Sequence, residues 1–209
     1  MIPKKITDKL NEGRTYRNVQ SIEARADDDK KVVTGYATVF NTPYELFSMD
    51  GYRVLEQIDP AAFDDCDMSD VIMQYNHEGR VFARISNGTL TVNPDATGLA
   101  VTADLGGTEI GRGLYEEIAG GYTDKMSFGF RVEEDKRETT ENAETGETTI
   151  LRTITKISKL YDVSAVSLPA NDATSISARS YGEGVIAELI EESEKREKQK
   201  QKIRILTGV

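Results

Sequence analysis

Ser127 is a candidate nucleophile because of the pattern in which it lies. It lies in residues 126–132 (MSFGFRV), where large apolar residues alternate with small or polar ones, as in a half-buried strand. If the apolar side chains face the core, Ser127 faces away from it. A serine hydroxyl attacks a carbonyl when a neighbouring histidine takes its proton. The ordinary explanation is a solvent-facing serine beside Gly129, a residue that permits close backbone approach.

His77 is the single histidine of the chain, so any histidine chemistry must use it. It lies in residues 75–79 (YNHEG), at the predicted end of a strand, and histidine is the usual general base near neutral pH. A lone histidine is more often a surface or packing residue. One histidine and one cysteine, Cys66, exclude a structural zinc site built from these residue types. Cys66 lies between acidic residues, which raise a thiol pKa and argue against a cysteine nucleophile.

Asp162 interrupts an apolar, β-branched stretch at residues 160–166 (LYDVSAV). Burying a carboxylate without a partner is costly, so this position requires an explanation. A basic partner such as Lys125 or Arg131 would supply one, as would a bulge that exposes the acid. The alternative is an orienting acid that holds the imidazole tautomer and stabilises the imidazolium, as in a Ser-His-acid triad.

Other acidic residues leave different chemistries open. Glu78 and Asp124 are alternative acids for the same role, and four aspartates cluster at positions 64, 65, 67 and 70. That cluster could bind a hard cation such as Ca²⁺, but it lacks the central glycine and terminal glutamate of an EF-hand. No spacing selects a pair of carboxylates for glycosidase chemistry. We expect no metal and no cofactor, and a carbohydrate- or cation-binding β domain is an alternative.

The charge distribution divides the chain into three parts. The net charge is −10, with −12 on residues 32–182, +2 on a polar N-terminal arm (1–31) and zero on a charged C-terminal tail (183–209). An acidic domain argues against direct binding to nucleic acid or to anionic membranes, both of which attract Lys and Arg.

No apolar stretch approaches the ~20 residues of a membrane span. A single cysteine excludes an intramolecular disulfide and indicates a reducing compartment.

Alternating and β-branched patterns predict the strands that must position these side chains. They are residues 32–40, 52–58, 71–77, 81–85, 89–92, 99–105, 126–132, 150–161 and 162–168. Asn87 and Gly88 predict a turn that joins 81–85 to 89–92 as a hairpin. Residues 133–149, which are acidic and threonine-rich, are predicted to be an exposed loop or a long hairpin tip.

Helices are predicted outside these strands. Asp59 and Pro60 begin a short one, and Thr108 caps a longer one over residues 109–119 that ends at Gly120. The tail is predicted to be helical at 185–190 before it becomes a charge run. The fold class is therefore a β-rich α+β protein, with a closed or partly open β-barrel of about seven strands and outer helices.

Six motifs in this order resemble the prohead (procapsid maturation) protease family of tailed phages, which is similar in fold and role to herpesvirus assemblin. The resemblance spans about residues 33–180. The motifs are GYATVF (35–40), EQIDPAAF (56–63), NHE (76–78), MSFGF (126–130), DVSAV (162–166) and SLPAN (167–171). MSFGF is the most specific of them.

The resemblance implies a serine endopeptidase with Ser127 as nucleophile, His77 as general base and residues 32–182 as the protease domain. Herpesvirus relatives use a second histidine as the third member, which this chain lacks. Phage members carry an acid, most often glutamate, in the motif that here contains Asp162. Backbone N–H groups or an arginine, Arg131 or Arg179, would bind the oxyanion.

The resemblance also implies where and on what the enzyme acts. It would work in the bacterial host cytoplasm, inside the assembling procapsid, on scaffold protein or on segments of the major capsid protein. It implies a homodimer or higher oligomer. The 133–149 segment and both arms are candidate self-cleavage sites, and the tail could recruit the enzyme into the head. The alternative is a catalytically inactive head-assembly or scaffold protein on the same fold.

Overall fold

The fold is built around one branched β-sheet. A computed structural model describes residues 15–27, 30–167 and 176–207, and the side chains within 22–24, 30–167 and 181–202. This part of the chain forms two short 3₁₀ turns, Pro60–Phe63 and Ile85–Asn87, and two α-helices, α1 (Glu109–Ala119) and α2 (Ile176–Thr207). Its ten strands are β1 (Thr15–Asp27), β2 (Lys30–Val39), β3 (Tyr44–Met49), β4 (Tyr52–Ile58), β5 (Ile72–Tyr75), β6 (Glu78–Arg84), β7 (Leu90–Pro94), β8 (Gly98–Asp104), β9 (Lys125–Glu141) and β10 (Thr148–Val166).

The sheet branches at β10. Its main path has the order β3-β4-β10-β9-β1-β2-β8-β7, and β5 pairs with β10 and β6 off this path. The first half of β10 lies parallel to β4 and its second half lies parallel to β5, while β9 pairs antiparallel along its other edge. Asp162, His77 and Ser127 are therefore carried by neighbouring strands or by the turn that follows one.

The β-rich α+β class is confirmed, but the barrel closure and the strand number are not. Ten strands replace the expected seven, and no ladder within the described ranges joins β7 to β3 or β6. The added strands include β1 and β3, which the sequence patterns did not predict. The segment 133–149, predicted as an exposed loop or a long hairpin tip, lengthens two predicted strands and does not add one. Its threonines favour extended backbone, so β9 continues to Glu141 and β10 begins at Thr148.

The predicted N-terminal arm contributes a strand to the sheet. β1 pairs with β2 along residues 22–27 and with β9 along residues 15–21. Ile22 is buried in the main core, which ties this segment to the domain. Residues 1–14 of the predicted arm lie outside the described residues, as does most of the SLPAN motif.

The predicted hairpin of residues 81–85 and 89–92 is wrong in its pairing, although its turn is confirmed. Gly88 has φ 76° after the 3₁₀ turn Ile85–Asn87, as the Asn-Gly pair predicts. The flanking strands then diverge, because β6 pairs with β5 and β7 pairs with β8. A turn signal reports the local backbone, whereas the choice of partner depends on tertiary contacts.

Two predicted helix starts are confirmed in detail. The hydroxyl of Thr108 accepts a hydrogen bond from the Gly111 N–H at 3.0 Å, and α1 runs over Glu109–Ala119. Asp59 Oδ1 accepts from the Ala61 N–H at 2.9 Å and begins the turn Pro60–Phe63.

Two hydrophobic cores hold these elements together. The main core includes apolar side chains from β2, β5, β8, β9, β10 and α1. A smaller core lies under α2 and contains Leu46, Phe47, Val54, Ile150, Val185 and Ile186. At this second core Gly182 packs directly on the Phe47 ring, where an added Cβ would lie 2.6 Å from a ring carbon. The segment of α2 from Gly182 to Ile186 is therefore packed against the β3–β4 side of the sheet. Residues 191–202 are exposed.

Candidate active site

Ser127 is held at the centre of the sheet. On β9 its neighbours at alternate positions are wholly buried in the main core: Met126, Phe128 and Phe130. Alternation along the strand places Ser127 on the opposite face, as predicted. That face is not solvent-exposed, however, because Ser127 itself is 0% exposed. The ordinary explanation of a solvent-facing serine is therefore wrong.

Asp162 lies on the strand next to Ser127. In the β9–β10 ladder Asp162 is opposite Gly129, and Ser164 is opposite Ser127. The register shifts between Leu160 and Asp162, and such irregularities re-aim side chains. Asp162 is 3% exposed, so the bulge does not expose the carboxylate. Its described partners are His77 and Ser164 rather than Lys125 or Arg131.

His77 occupies a tight turn between β5 and β6. Asn76 and His77 have φ values of 51° and 61°, the left-handed pair that a type I′ hairpin turn requires. Asn76 fastens the turn to the end of β10. Its backbone N–H donates to the Ala165 carbonyl at 3.0 Å, and its side-chain carbonyl accepts from the Ser167 N–H at 3.1 Å. The strand predicted at 71–77 therefore ends two residues early, at Tyr75. His77, the last residue of the predicted strand, lies in the turn.

The structure brings all three predicted residues together. His77 Nδ1 lies 2.5 Å from Asp162 Oδ1, and His77 Nε2 is hydrogen-bonded to Ser127 Oγ. A carboxylate accepts from an N–H, so Nδ1 carries the proton and Nε2 is free to accept from the serine hydroxyl. The His77 side chain is 15% exposed and that of Asp162 is 4% exposed. A hydroxyl, an imidazole and a carboxylate hydrogen-bonded in this order can activate a serine for attack on a carbonyl.

One contact of the site was not anticipated from the sequence. Ser164 donates its hydroxyl hydrogen to Asp162 Oδ1 at 3.0 Å, and it is 0% exposed. The available signal was its position two residues after the acid, which places both side chains on the same face of a strand.

Two aspartates of the acidic cluster that could have bound a cation are paired with basic side chains. Asp67 is bonded to Lys159 at 2.7 Å, which lowers the pKa of that carboxyl well below its usual range. Asp70 is paired with Arg84, which lowers the pKa of Asp70 to about 2. No group of three or more potential metal-ligating side chains occurs in the described part of the chain. Burial, with a smaller contribution from the charge of Asp67, raises the pKa of the Cys66 thiol to about 11.

A comparison with models of known families decides the class of this protein. The model for the caudovirus prohead serine protease family matches residues 19–186, which include the whole of the site. The chain belongs to that family. No curated protein and no solved structure matched it.

Membership of the prohead serine protease family supports a serine peptidase that acts on the phage procapsid during capsid maturation. The family model begins inside β1 and ends inside α2, so it includes part of the predicted N-terminal arm and the start of the predicted tail. No helix among the residues that the structure describes is long and apolar enough to cross a membrane.

Proposed function

We propose that this prohead protease is a serine endopeptidase in which Ser127 is the nucleophile, His77 the general base and Asp162 the orienting acid. The observation that carries the proposal is the continuous chain of hydrogen bonds from Ser127 Oγ through the imidazole to Asp162 Oδ1. Family membership supports the serine peptidase class, and the contacts support these three residues for its chemistry.

The contacts support an acyl-enzyme mechanism. Ser127 Oγ attacks the scissile carbonyl carbon while its proton moves to His77 Nε2. The resulting imidazolium is stabilised by the Asp162 carboxylate on Nδ1. The C–N bond then breaks, the leaving amine takes the proton from Nε2, and the acyl group remains on Ser127. Water, deprotonated by the same nitrogen, releases the acyl group and restores the serine.

The oxyanion of each tetrahedral intermediate requires hydrogen-bond donors. Arg131 lies on β9 four residues after Ser127 and is exposed, and it is a candidate donor from the nucleophile's own strand. The side chain of the other candidate, Arg179, lies outside the described residues. Backbone N–H groups near Ser127 are the third possibility that the sequence raised.

The proposed substrates are scaffold protein and scaffold-like segments of the major capsid protein, with self-cleavage in addition. The family's role in the prohead supports this class of substrate and a place inside the assembling head in the host cell. A homodimer or higher oligomer is proposed from the same relationship. The acidic net charge of residues 32–182 supports protein substrates rather than direct contact with nucleic acid.

The decisive experiment co-expresses the chain with the capsid and scaffold proteins of its own phage and identifies cut fragments by mass spectrometry. Ser127→Ala and His77→Ala should each abolish the fragments. Ser158→Ala removes a hydroxyl from β10 away from the site. It is the matched control and should leave the fragments unchanged. Processing that persists in both Ser127→Ala and His77→Ala would refute the proposal. Absence of processing by the unaltered chain, with normal heads, would favour an inactive assembly protein.

A further inference from the structure

Asp162 holds two hydrogen-bond donors on a single oxygen. Its Oδ1 lies 2.5 Å from His77 Nδ1 and 3.0 Å from Ser164 Oγ. Ser164 is completely buried and is opposite Ser127 in the β9–β10 ladder. The Ser164 hydroxyl therefore contacts Asp162 on β10, the strand next to the one that carries Ser127.

We propose that Ser164 is a positioning residue, which fixes the Asp162 carboxylate so that Oδ1 faces His77. This inference rests on the proposed protease function of the same site. The terminal torsion of an aspartate is broad and roughly two-fold, so a single contact to the imidazole leaves the carboxylate free to rotate. A charge-assisted bond from a neighbour on the same strand face removes that freedom.

The position of the carboxylate determines the state of the imidazole. With Oδ1 fixed opposite Nδ1, the proton stays on Nδ1 and the lone pair on Nε2 faces Ser127. A carboxylate that turns away no longer selects this tautomer. Loss of the Ser164 hydroxyl should therefore reduce the fraction of molecules ready for attack without removing any reacting atom.

Kinetics provide the first test. Ser164→Ala should lower kcat by about 10- to 100-fold with little change in KM, since misplacement of a catalytic group costs about that much. Ser164→Thr keeps the hydroxyl and should recover activity. Ser164→Cys fills the same space with a weaker donor and should resemble Ser164→Ala. Ser158→Ala is the matched control on β10. Activity of Ser164→Cys equal to that of the unaltered chain would show that volume matters and the donor does not.

The single histidine allows a second test that needs no turnover. In protein labelled with ¹⁵N-histidine, every imidazole signal belongs to His77. The unaltered chain, Ser127→Ala and Ser158→Ala should show the Nδ1–H tautomer with a slowly exchanging proton. In Ser164→Ala that proton should be lost to exchange and the nitrogen shifts should move towards a mixture of tautomers. Unchanged signals in a folded Ser164→Ala would overturn the inference, whether or not the protein cleaves its substrates. Absence of Ser127-dependent cleavage would instead contradict the proposed function.

Discussion

His77 and Asp162 are 85 positions apart in the sequence, and the Nδ1 atom of one lies 2.5 Å from the Oδ1 atom of the other. β5 makes this contact possible because it runs parallel to the second half of β10. The turn at the end of β5 is thereby held next to the strand that carries the acid. On the other edge of β10, β9 brings Ser127 within reach of the same imidazole.

Replacing Asp162 by asparagine should lower kcat by about 10³- to 10⁴-fold. An asparagine can place an N–H opposite Nδ1, which favours the tautomer that cannot accept the serine proton. Asp162→Glu keeps the charge but adds a methylene, and it should cost less, about 10²-fold for a displacement of about 1 Å. Peptide cleavage assays of both variants give the comparison. Equal activities for the two variants would contradict a role that depends on carboxylate chemistry.

The left-handed turn at Asn76 should be sensitive to β-branching. In Asn76→Val the valine must adopt a φ of 51°, which destabilises the folded state by about 1–2 kcal/mol for a β-branched residue. The variant also loses the side-chain hydrogen bonds to Ser167. The melting temperature should fall by about 3–8 °C, with reduced cleavage because the imidazole is displaced. Asn76→Gly tolerates the same φ and is the control that loses only the side-chain bonds. Equal melting temperatures for the two variants would show that the turn conformation stores no strain.

Local signals in the sequence predicted much of this fold. Thr108 and Asp59 were recognisable caps, because a hydroxyl or carboxylate before a helical pattern has one obvious use. The pairing of β6 with β5 instead of β7 was not predictable from Asn87 and Gly88, which determine only the turn between them. The parallel contacts of β10 with β4 and β5 involve residues about 90 positions apart, and no local pattern reports them.

The candidate site shows the same division. Ser127, His77 and Asp162 were selected by residue type and motif, but their proximity depends on long-range strand pairing. Alternation placed Ser127 off the core face, yet it could not reveal that this face is covered as well. Residue type alone does not identify Ser164, because a serine in a strand has many ordinary uses.

The buried ion pair of Arg152 should be important for stability. Arg152 Nη1 donates to Glu56 Oε2 at 2.9 Å, and Glu56 is 0% exposed. Arg152→Met would leave that carboxylate buried without its cation, and should lower the free energy of unfolding by about 3–5 kcal/mol. Arg53→Met removes the exposed pair with Glu45 and should cost about 0–1 kcal/mol. Urea unfolding of the two variants measures the difference, and similar losses would contradict the importance of burial.

Asp70 should contribute a pH-dependent part of the stability. Its hydrogen bonds to Arg84 lower its pKa from 3.8 to about 2. Because the folded protein binds this proton less readily, the contribution is complete above about pH 4 and is lost as the pH falls towards 2. The melting temperature of the unaltered chain should exceed that of Asp70→Asn above pH 4, and the two should converge below it. A difference that persists unchanged at pH 2 would contradict this assignment.

The long β9–β10 hairpin has a consequence for the proposed self-cleavage. Its tip, residues 142–147, separates the strand of Ser127 from the strand of Asp162. A break there would leave the proposed nucleophile and base in one fragment and the proposed acid in the other. The ladder that pairs β9 with β10 along nearly their whole length would still join the two fragments. We expect a foreign protease site placed in the tip to yield a two-chain enzyme that remains active and elutes as one species until denaturant is added. Separation of the fragments in plain buffer would contradict this. Cleavage at this tip would thus leave a record that the molecule had been processed, while its peptidase activity remained.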